Sequence, residues 1–401
     1  MDPLEFVRLR RMVETYHGDA ALLGLSDQEL ARALGLVAIV GGNHVPTMAG
    51  LLLVGRDAAL QQHVPAHEVA FQVLRGTYVA VNDFYRWPLL RIVERILEGF
   101  EVRNEEREMN VGLFRVGIPA YDRRAFREAL NNALVHRDYH RLGATHVQLH
   151  EDRIAIMNPG GFVEGVRPDN LLHVGPHPRN PCLADGFKRI GLVERTGRGV
   201  SIIYEGQLRN GRRPPSYERS NEVTVSVTLY GGPASLAFVQ LVLSHESDKG
   251  RMLSVGELLI LDHVYRKREI DTAAAAQVAQ LPISDARALL ESLAEGGLLD
   301  KRGNRRSRTY HLSAGIYREM GEPAAYVRTH GFERPQMKQM ILQYVRGHGR
   351  IARRNVMDLC HLDEEQASYV LSQLVEEGLL RLVGWGRGAH YVIEDAGSEG
   401  N

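Results

Sequence analysis

Glu128 and Asn132 stand four residues apart in the run Arg127-Glu128-Ala129-Leu130-Asn131-Asn132-Ala133. On a helix that spacing stacks both side chains on one face. The Asn132 carbonyl can ligate Mg²⁺, an ion that takes oxygen ligands and keeps several waters. The Glu128 carboxylate can orient or deprotonate an attacking water. Two glycine turns follow, Asn158-Pro159-Gly160-Gly161 and Gly197-Arg198-Gly199. Both let backbone approach a ligand closely, because glycine accepts positive φ and carries no Cβ. The second precedes a helical stretch over 200–208, whose first N–H groups can meet phosphates. Alone, each fragment is ordinary scaffolding: a solvated helix edge, a plain turn. Together and in this order they are what a nucleotide and its magnesium ion need.

The elements that must position these groups are readable around them. Asp122 can cap a helix whose apolar stripe is Phe126, Leu130, Ala133 and Leu134. Residues 145–150 alternate, Glu151-Asp152 can turn, and residues 153–157 alternate back, which predicts a hairpin. Residues 221–229 read as a further strand. Helix, hairpin, glycine loop, helix and strand make an α+β layer domain of about 110 residues. Upstream, the apolar run 48–55, ended by Gly55, reads as a buried strand and residues 69–74 as another. Leu89, Ile92, Val93, Ile96 and Leu97 fall at helical spacing, the pattern of a core-facing helix.

Composition sets the class. The chain has 401 residues, 44% hydrophobic and 24% charged, which is ordinary globular usage and suggests two to four domains. Lys plus Arg is 49 and Asp plus Glu is 49, so a surface basic all over is excluded while a local basic patch is not. Cys182 and Cys360 lie far apart, with no spacing for a thiolate zinc site or a disulfide framework. No signal peptide is expected at the first residues, and the longest apolar runs fall short of the roughly 20 residues that span a bilayer. A cytoplasmic protein without a membrane partner is the expectation. A Gly-x-x-x-x-Gly-Lys-Ser/Thr loop is missing, which disfavours a helicase-type motor.

The motif order resembles the ATP-binding fold of the GHKL superfamily, shared by gyrase, histidine kinases and mismatch-repair ATPases. There a Glu-x-x-x-Asn helix is followed by one glycine box after a strand and another before a helix. More closely, residues 127–139 with Asn158-Pro159-Gly160-Gly161, Arg179-Asn180-Pro181 and Glu194-Arg195-Thr196-Gly197-Arg198-Gly199 are similar to a bacterial subfamily. Its members are divergent ATP-binding transcriptional regulators often linked to a Schlafen-type AlbA domain. Residues 46–55 resemble the segment that joins the two domains there. The resemblance covers roughly residues 20–230. It implies a Bergerat-type α/β sandwich that binds ATP and Mg²⁺, with Glu128 catalytic, Asn132 on the metal, and Asn158, Gly160, Gly161, Gly197, Arg198 and Gly199 around the nucleotide. Arg179 and Asn180 fall in the segment that forms a lid, where a phosphate contact is open to them. His136 or Arg137 either reaches a phosphate or belongs to an end-of-helix network. Asn158 stands where well-studied members carry an Asp that accepts from the adenine amine, so the acceptor is kept and the charge is lost. The AlbA-type domain, and any nuclease activity it carries, is not expected in this chain.

The C-terminal third reads as two winged helices. In residues 254–313, Leu258, Leu261, Val264 and Tyr265 form a first helix face, Asp271 and Ser284-Asp285 cap two more helices, and a hairpin follows Gly296-Gly297. Its tip holds Lys301, Arg302, Arg305, Arg306 and Arg308 without an acid between them. Residues 335–392 repeat the scheme about 80 residues on, with Asp363 as a cap and Arg387 at the second tip. DNA binding would place the third helices in the major groove and Arg302, Arg305, Arg306, Arg308 and Arg387 on phosphates. Winged helices also dock proteins, and Asp363, Glu364 and Glu365 at the start of the second unit's third helix repel a phosphate backbone.

The expected architecture is therefore α+β. An N-terminal α/β segment (1–115) precedes a GHKL-like ATP-binding domain (116–232), and winged helices follow at 245–315 and 333–394. Three functions fit it: an ATP-binding regulator that acts on double-stranded DNA, a GHKL-type ATPase in DNA transactions or phage defence, or a scaffold with a degenerate pocket. A homodimer is expected from the two-fold habit of operator binding.

Overall fold

The computed structural model describes residues 1–111, 114–194, 196–304, 307–319, 334–360, 362, 364–385 and 389–394. Two units divide the chain, 1–312 and 313–401. Helix α1 (Pro3–Thr15) starts where the Asp2 side chain accepts from Leu4 N, with Pro3 at a position whose missing N–H costs nothing. Helix α2 (Asp27–Ala33) opens on a Ser26/Glu29 capping box. The hairpin of β1 (Val37–Val40) and β2 (Asn43–Pro46) leads to α3 (Met48–Val54) and α4 (Asp57–His63). Helix α3 corrects the strand expected there. Thr47 Oγ1 accepts from Gly50 N at 3.1 Å and starts a helical turn. An apolar run this short carries no period that separates a strand from a buried helix.

Strands β3 (Val69–Arg75) and β4 (Tyr78–Tyr85) then form a hairpin, followed by α5 (Leu89–Glu101) and the paired β5 (Glu106–Val111) and β6 (Phe114–Pro119). Helix α6 (Arg123–Val135) begins at Asp122, whose carboxylate accepts from Ala125 N at 2.7 Å. Next come β7 (Thr145–Leu149), β8 (Arg153–Pro159), α7 (Pro181–Ile190), α8 (Gly199–Arg209) and β9 (Thr224–Tyr230). The central sheet runs β4-β3-β7-β8-β9. Its parallel pair is β3 with β7, Val69 opposite Thr145 and Val73 opposite Leu149. Helix α6 lies against β7, β8 and β9 and is flanked by α5, α7 and α8. One hydrophobic cluster runs from Phe6 through Leu53, Val93 and Phe126 to Leu229. Both the sheet and this core cross the expected division at residue 115, because β3 has no partner for its inner edge except β7.

Helix α9 (Leu236–Lys249) spans residue 245, so the expected start of the first C-terminal module falls inside a helix. After it come α10 (Val255–Lys267), β10 (Ile270–Asp271), α11 (Thr272–Ala279), α12 (Ile283–Glu295), β11 (Leu299–Arg302) and β12 (Thr309–Leu312), with the three strands ordered β10-β12-β11. Helix α10 packs on α8, and Arg209 of α8 pairs with Glu246 of α9 at 2.8 Å. The second unit holds α13 (Ala314–Glu319), α14 (Arg334–His348), α15 (Arg353–Cys360), α16 (Glu364–Glu376) and the hairpin β13 (Leu380–Val383) with β14 (His390–Ile393). It has its own core around Ile341, Val356, Leu371 and Leu380. Among the described residues no helix is long and apolar enough to cross a membrane.

Candidate nucleotide site

Helix α6 decides where the site lies. Phe126, Ala129, Leu130 and Leu134 are buried, and Phe126 stacks on Phe100 at 3.9 Å between ring centroids. With that stripe in the core, Glu128, Asn132 and His136 border a cavity of about 520 Å³. Asn158 and Gly161 border it from the end of β8, and Gly197 and Gly199 from the start of α8. Seven of the residues singled out by sequence therefore meet around one space. Its volume lies in the range of about 300–1,000 Å³ that ligand pockets take. The remaining wall is mostly apolar: Ile156 and Val227 on the sheet, Phe162, Val163, Leu171 and Val174 on the β8–α7 loop, and Ile203 on α8.

Glu128 is 5% exposed. Burial pushes its carboxyl up to about 7; the Glu194 N–H, the Arg127 charge and a hydrogen bond from Asn132 pull the other way without prevailing. Glu194 N donates to Glu128 Oε2 at 3.4 Å. The Glu194 carboxylate in turn accepts from Thr196 N and Thr196 Oγ1, each at 2.6 Å, and from Arg198 N at 3.1 Å, which folds the second glycine turn. Gly199 closes this arrangement: a Cβ there would lie 2.0 Å from Glu128 Oε1. Asn132 borders the cavity beside Glu128, and its carbonyl oxygen is the side-chain atom able to ligate a metal. His136 is pushed down to about 4 by burial and by the Arg179 charge, and is neutral at physiological pH.

Other predicted residues take supporting places. Gly160 has φ +101°, and a Cβ on it would meet Asp138 Cβ at 2.9 Å, so this turn needs glycine. Arg179 Nη2 donates to Gly161 O at 2.7 Å and its Nε to His136 O at 3.1 Å. Asn180 Nδ2 donates to Val135 O and Arg137 O, both at 2.8 Å. These two residues tie the end of α6 to the first glycine turn and do not line the cavity. Arg137 is fully buried and donates to Ala66 O and to Gly143 O, the latter at 2.8 Å, so it belongs to the end-of-helix network. Arg198 is exposed and lies 3.7 Å from Glu205 Oε1. Sequence reasoning missed Tyr217, Lys188 and Asp185, which border the cavity from outside the motifs. It gave no role to Asn131, whose amide donates to Leu192 O at 2.8 Å and anchors α6 from below. The local signal for Asn131 was only its place in the motif.

The polar groups fit Mg²⁺ only together with phosphate. Among the described residues no three His, Cys, Asp or Glu side chains are grouped to hold a metal. Asn132 would supply one oxygen, and phosphates and waters would complete the octahedron, since Mg²⁺ takes few ligands from a protein at such sites.

At the first C-terminal hairpin, Arg308 lies 3.6 Å from Glu291 of α12, and Lys301 also pairs with Glu291. The tip that has no acid in sequence thus has one in space. Arg302 ends β11, while Arg305, Arg306 and Arg387 lie outside the described residues, as does the expected cap Asp363.

Comparison with known proteins sets this geometry in context. Residues 143–229 match the family model described as "Putative ATP-dependent DNA helicase recG C-terminal", an ATPase-like domain that covers β7 to β9 and both glycine turns. Residues 1–70 match a domain model of unknown function. A crystal structure of the DIP2311 protein from Corynebacterium diphtheriae is similar in fold, with a TM-score of 0.64 and 22% identity over 98% of this chain and 67% of that one. No curated protein matches the sequence.

Proposed function

We propose that this chain is an ATP-binding regulator of double-stranded DNA in which occupancy of the cavity sets the arrangement of winged-helix modules. The observation that carries the reading is the convergence of Glu128, Asn132, Asn158, Gly161, Gly197 and Gly199 on one 520 Å³ space. The ATPase-like match over 143–229 supports it. In this reading the apolar wall takes the base, beside the buried Asn158 side chain. The phosphates meet the first N–H groups of α8 and the Lys188 ammonium at the rim. Asn132 holds Mg²⁺, which would neutralise phosphate charge when bound.

Hydrolysis is the second reading, and one observation favours it. A buried carboxyl poised at about 7 is matched to accepting a proton from water near neutral pH. Glu128 would take that proton, the Glu194 N–H would hold the carboxylate in place, and the Gly199 contact would exclude solvent from it. Helicase motor activity is not part of the proposal, for want of a Walker-type loop.

The three-helix, three-strand arrangement of residues 255–312 and the helices and hairpin of residues 334–394 support winged-helix modules. Arg302, with Arg305, Arg306 and Arg387, would contact DNA phosphates. Arg308, paired with Glu291, would have to leave that carboxylate to join them. The acidic exposed residues Asp285 and Glu295 on α12 argue for few phosphate contacts from that helix. A homodimer would match two-fold sites. The test is a mobility shift of the gene's own upstream DNA by the full chain, with and without ATP and Mg²⁺. A shift whose midpoint moves at least fivefold with nucleotide supports regulation. A nucleotide-independent shift leaves only DNA binding, and no shift removes the DNA reading.

A further inference from the structure

The loop between β8 and α7 does two things at once. Leu171 and Val174 face the cavity, while the residues between them face the turn that joins α11 to α12. Leu172 N donates to Gln280 Oε1 at 3.0 Å, and His173 Nε2 lies 3.1 Å from Ala279 O. Gln280 Nε2 donates to Pro168 O at 3.2 Å and to Tyr204 Oη at 3.3 Å. Tyr204 sits on α8, the helix that begins at Gly199 beside Glu128. One side chain thus joins the cavity wall, the helix that starts at the second glycine turn, and the last two helices of the first C-terminal module.

The backbone at Gln280 points the same way. It closes α11 in the left-handed region, at φ 56° and ψ 35°. Helix ends of this kind usually take glycine or asparagine, because other side chains resist positive φ. Glutamine at such a position is explained by what its amide holds.

We propose that Gln280 is a latch that carries the state of the cavity to α11 and α12. This inference rests on the nucleotide reading of the cavity. A ligand that fills the space presses on Leu171 and Val174, and the peptide between them moves with them. The latch bonds are 3.0–3.3 Å long, and hydrogen bonds weaken beyond about 3.5 Å. A wall movement of about 1 Å therefore breaks or reforms them. The coupling is reciprocal: whatever binds α12 and favours one latch state changes nucleotide affinity by the same factor.

The decisive variant is Gln280→Gly in the full chain. Glycine accepts the left-handed backbone and removes only the side-chain bonds, so the fold is kept. Hydrogen exchange is followed in peptides covering 163–178 and 272–295, with and without ATP and Mg²⁺. Without nucleotide, Gln280→Gly is expected to speed exchange across 163–178 at least about tenfold; unchanged exchange there overturns the latch. In wild type, ATP is expected to alter exchange in both segments. In Gln280→Gly, ATP should still alter 163–178 while 272–295 becomes indifferent. A response of 163–178 alone in wild type overturns the latch and leaves the nucleotide site standing. A response of 272–295 that persists in Gln280→Gly does the same. If ATP alters neither segment of wild type, the nucleotide reading fails and the signal fails with it.

Discussion

Glu128 is a carboxyl whose environment makes pH a direct probe of the site. Its folded value of about 7 lies above its ordinary 4.5 because burial disfavours the charge. The folded chain therefore holds this proton more tightly than the unfolded chain does. Its contribution to stability is full below pH 4.5 and is lost as pH rises through 7. Thermal unfolding of wild type beside Glu128→Gln should show this: the variant gains relative stability as pH climbs from 5 to 8, and parallel curves would contradict the burial account. Should the chain hydrolyse ATP, phosphate release should rise with pH through about 7 as the base form appears. Glu128→Gln should lower that rate at least about a hundredfold while ATP binding stays within a few-fold. Gly199→Ala probes the same carboxylate sterically. Its Cβ would collide with Oε1 at 2.0 Å, so ATP binding should fall at least tenfold in a titration, and an unchanged affinity would mean that α8 adjusts freely.

Among the elements, α6 carries the most. Phe126→Ala removes a fully buried ring stacked on Phe100, and a loss of about 3–5 kcal/mol is expected in denaturant unfolding. A loss under about 1 kcal/mol would show that this helix is not seated by its stripe. The position of α6 was readable in advance because Asp122 caps it and its apolar residues recur at helical period. The β7–β8 hairpin was equally plain, since both strands alternate and Glu151-Asp152 breaks them. Residues 48–54 misled for the opposite reason: Leu51, Leu52, Leu53 and Val54 have no alternation to read, and the deciding signal was the Thr47 cap. The membership of β3 in the sheet was not legible at all. Its parallel pairing with β7 joins residues 76 apart, and no local pattern specifies a partner so distant. The support given by Arg179 and Asn180 was hidden likewise, because each acts on backbone carbonyls that folding alone brings near, whereas an end-of-helix network was among the readings open for Arg137. Both glycine turns, by contrast, were visible from residue type, and the cavity they border follows from their spacing.

At the scale of the whole molecule, the division at 312/313 makes its own prediction. A chain ending at Leu312 keeps the full sheet, the cavity and the first three-helix module. It should unfold cooperatively and bind ATP within about twofold of the full chain. A collapse of affinity on truncation would show that residues 313–401 take part in the site. A nucleotide with its metal is proposed to occupy the space between α6 and the two glycine turns. Calorimetric titration of ATP with Mg²⁺ into the full chain, wild type beside Asn132→Ala, tests it most directly. A saturable heat for one site per chain, weakened at least tenfold (about 1.4 kcal/mol) in Asn132→Ala, is the predicted result. Equal heats in the two proteins, or no heat in either, would contradict it.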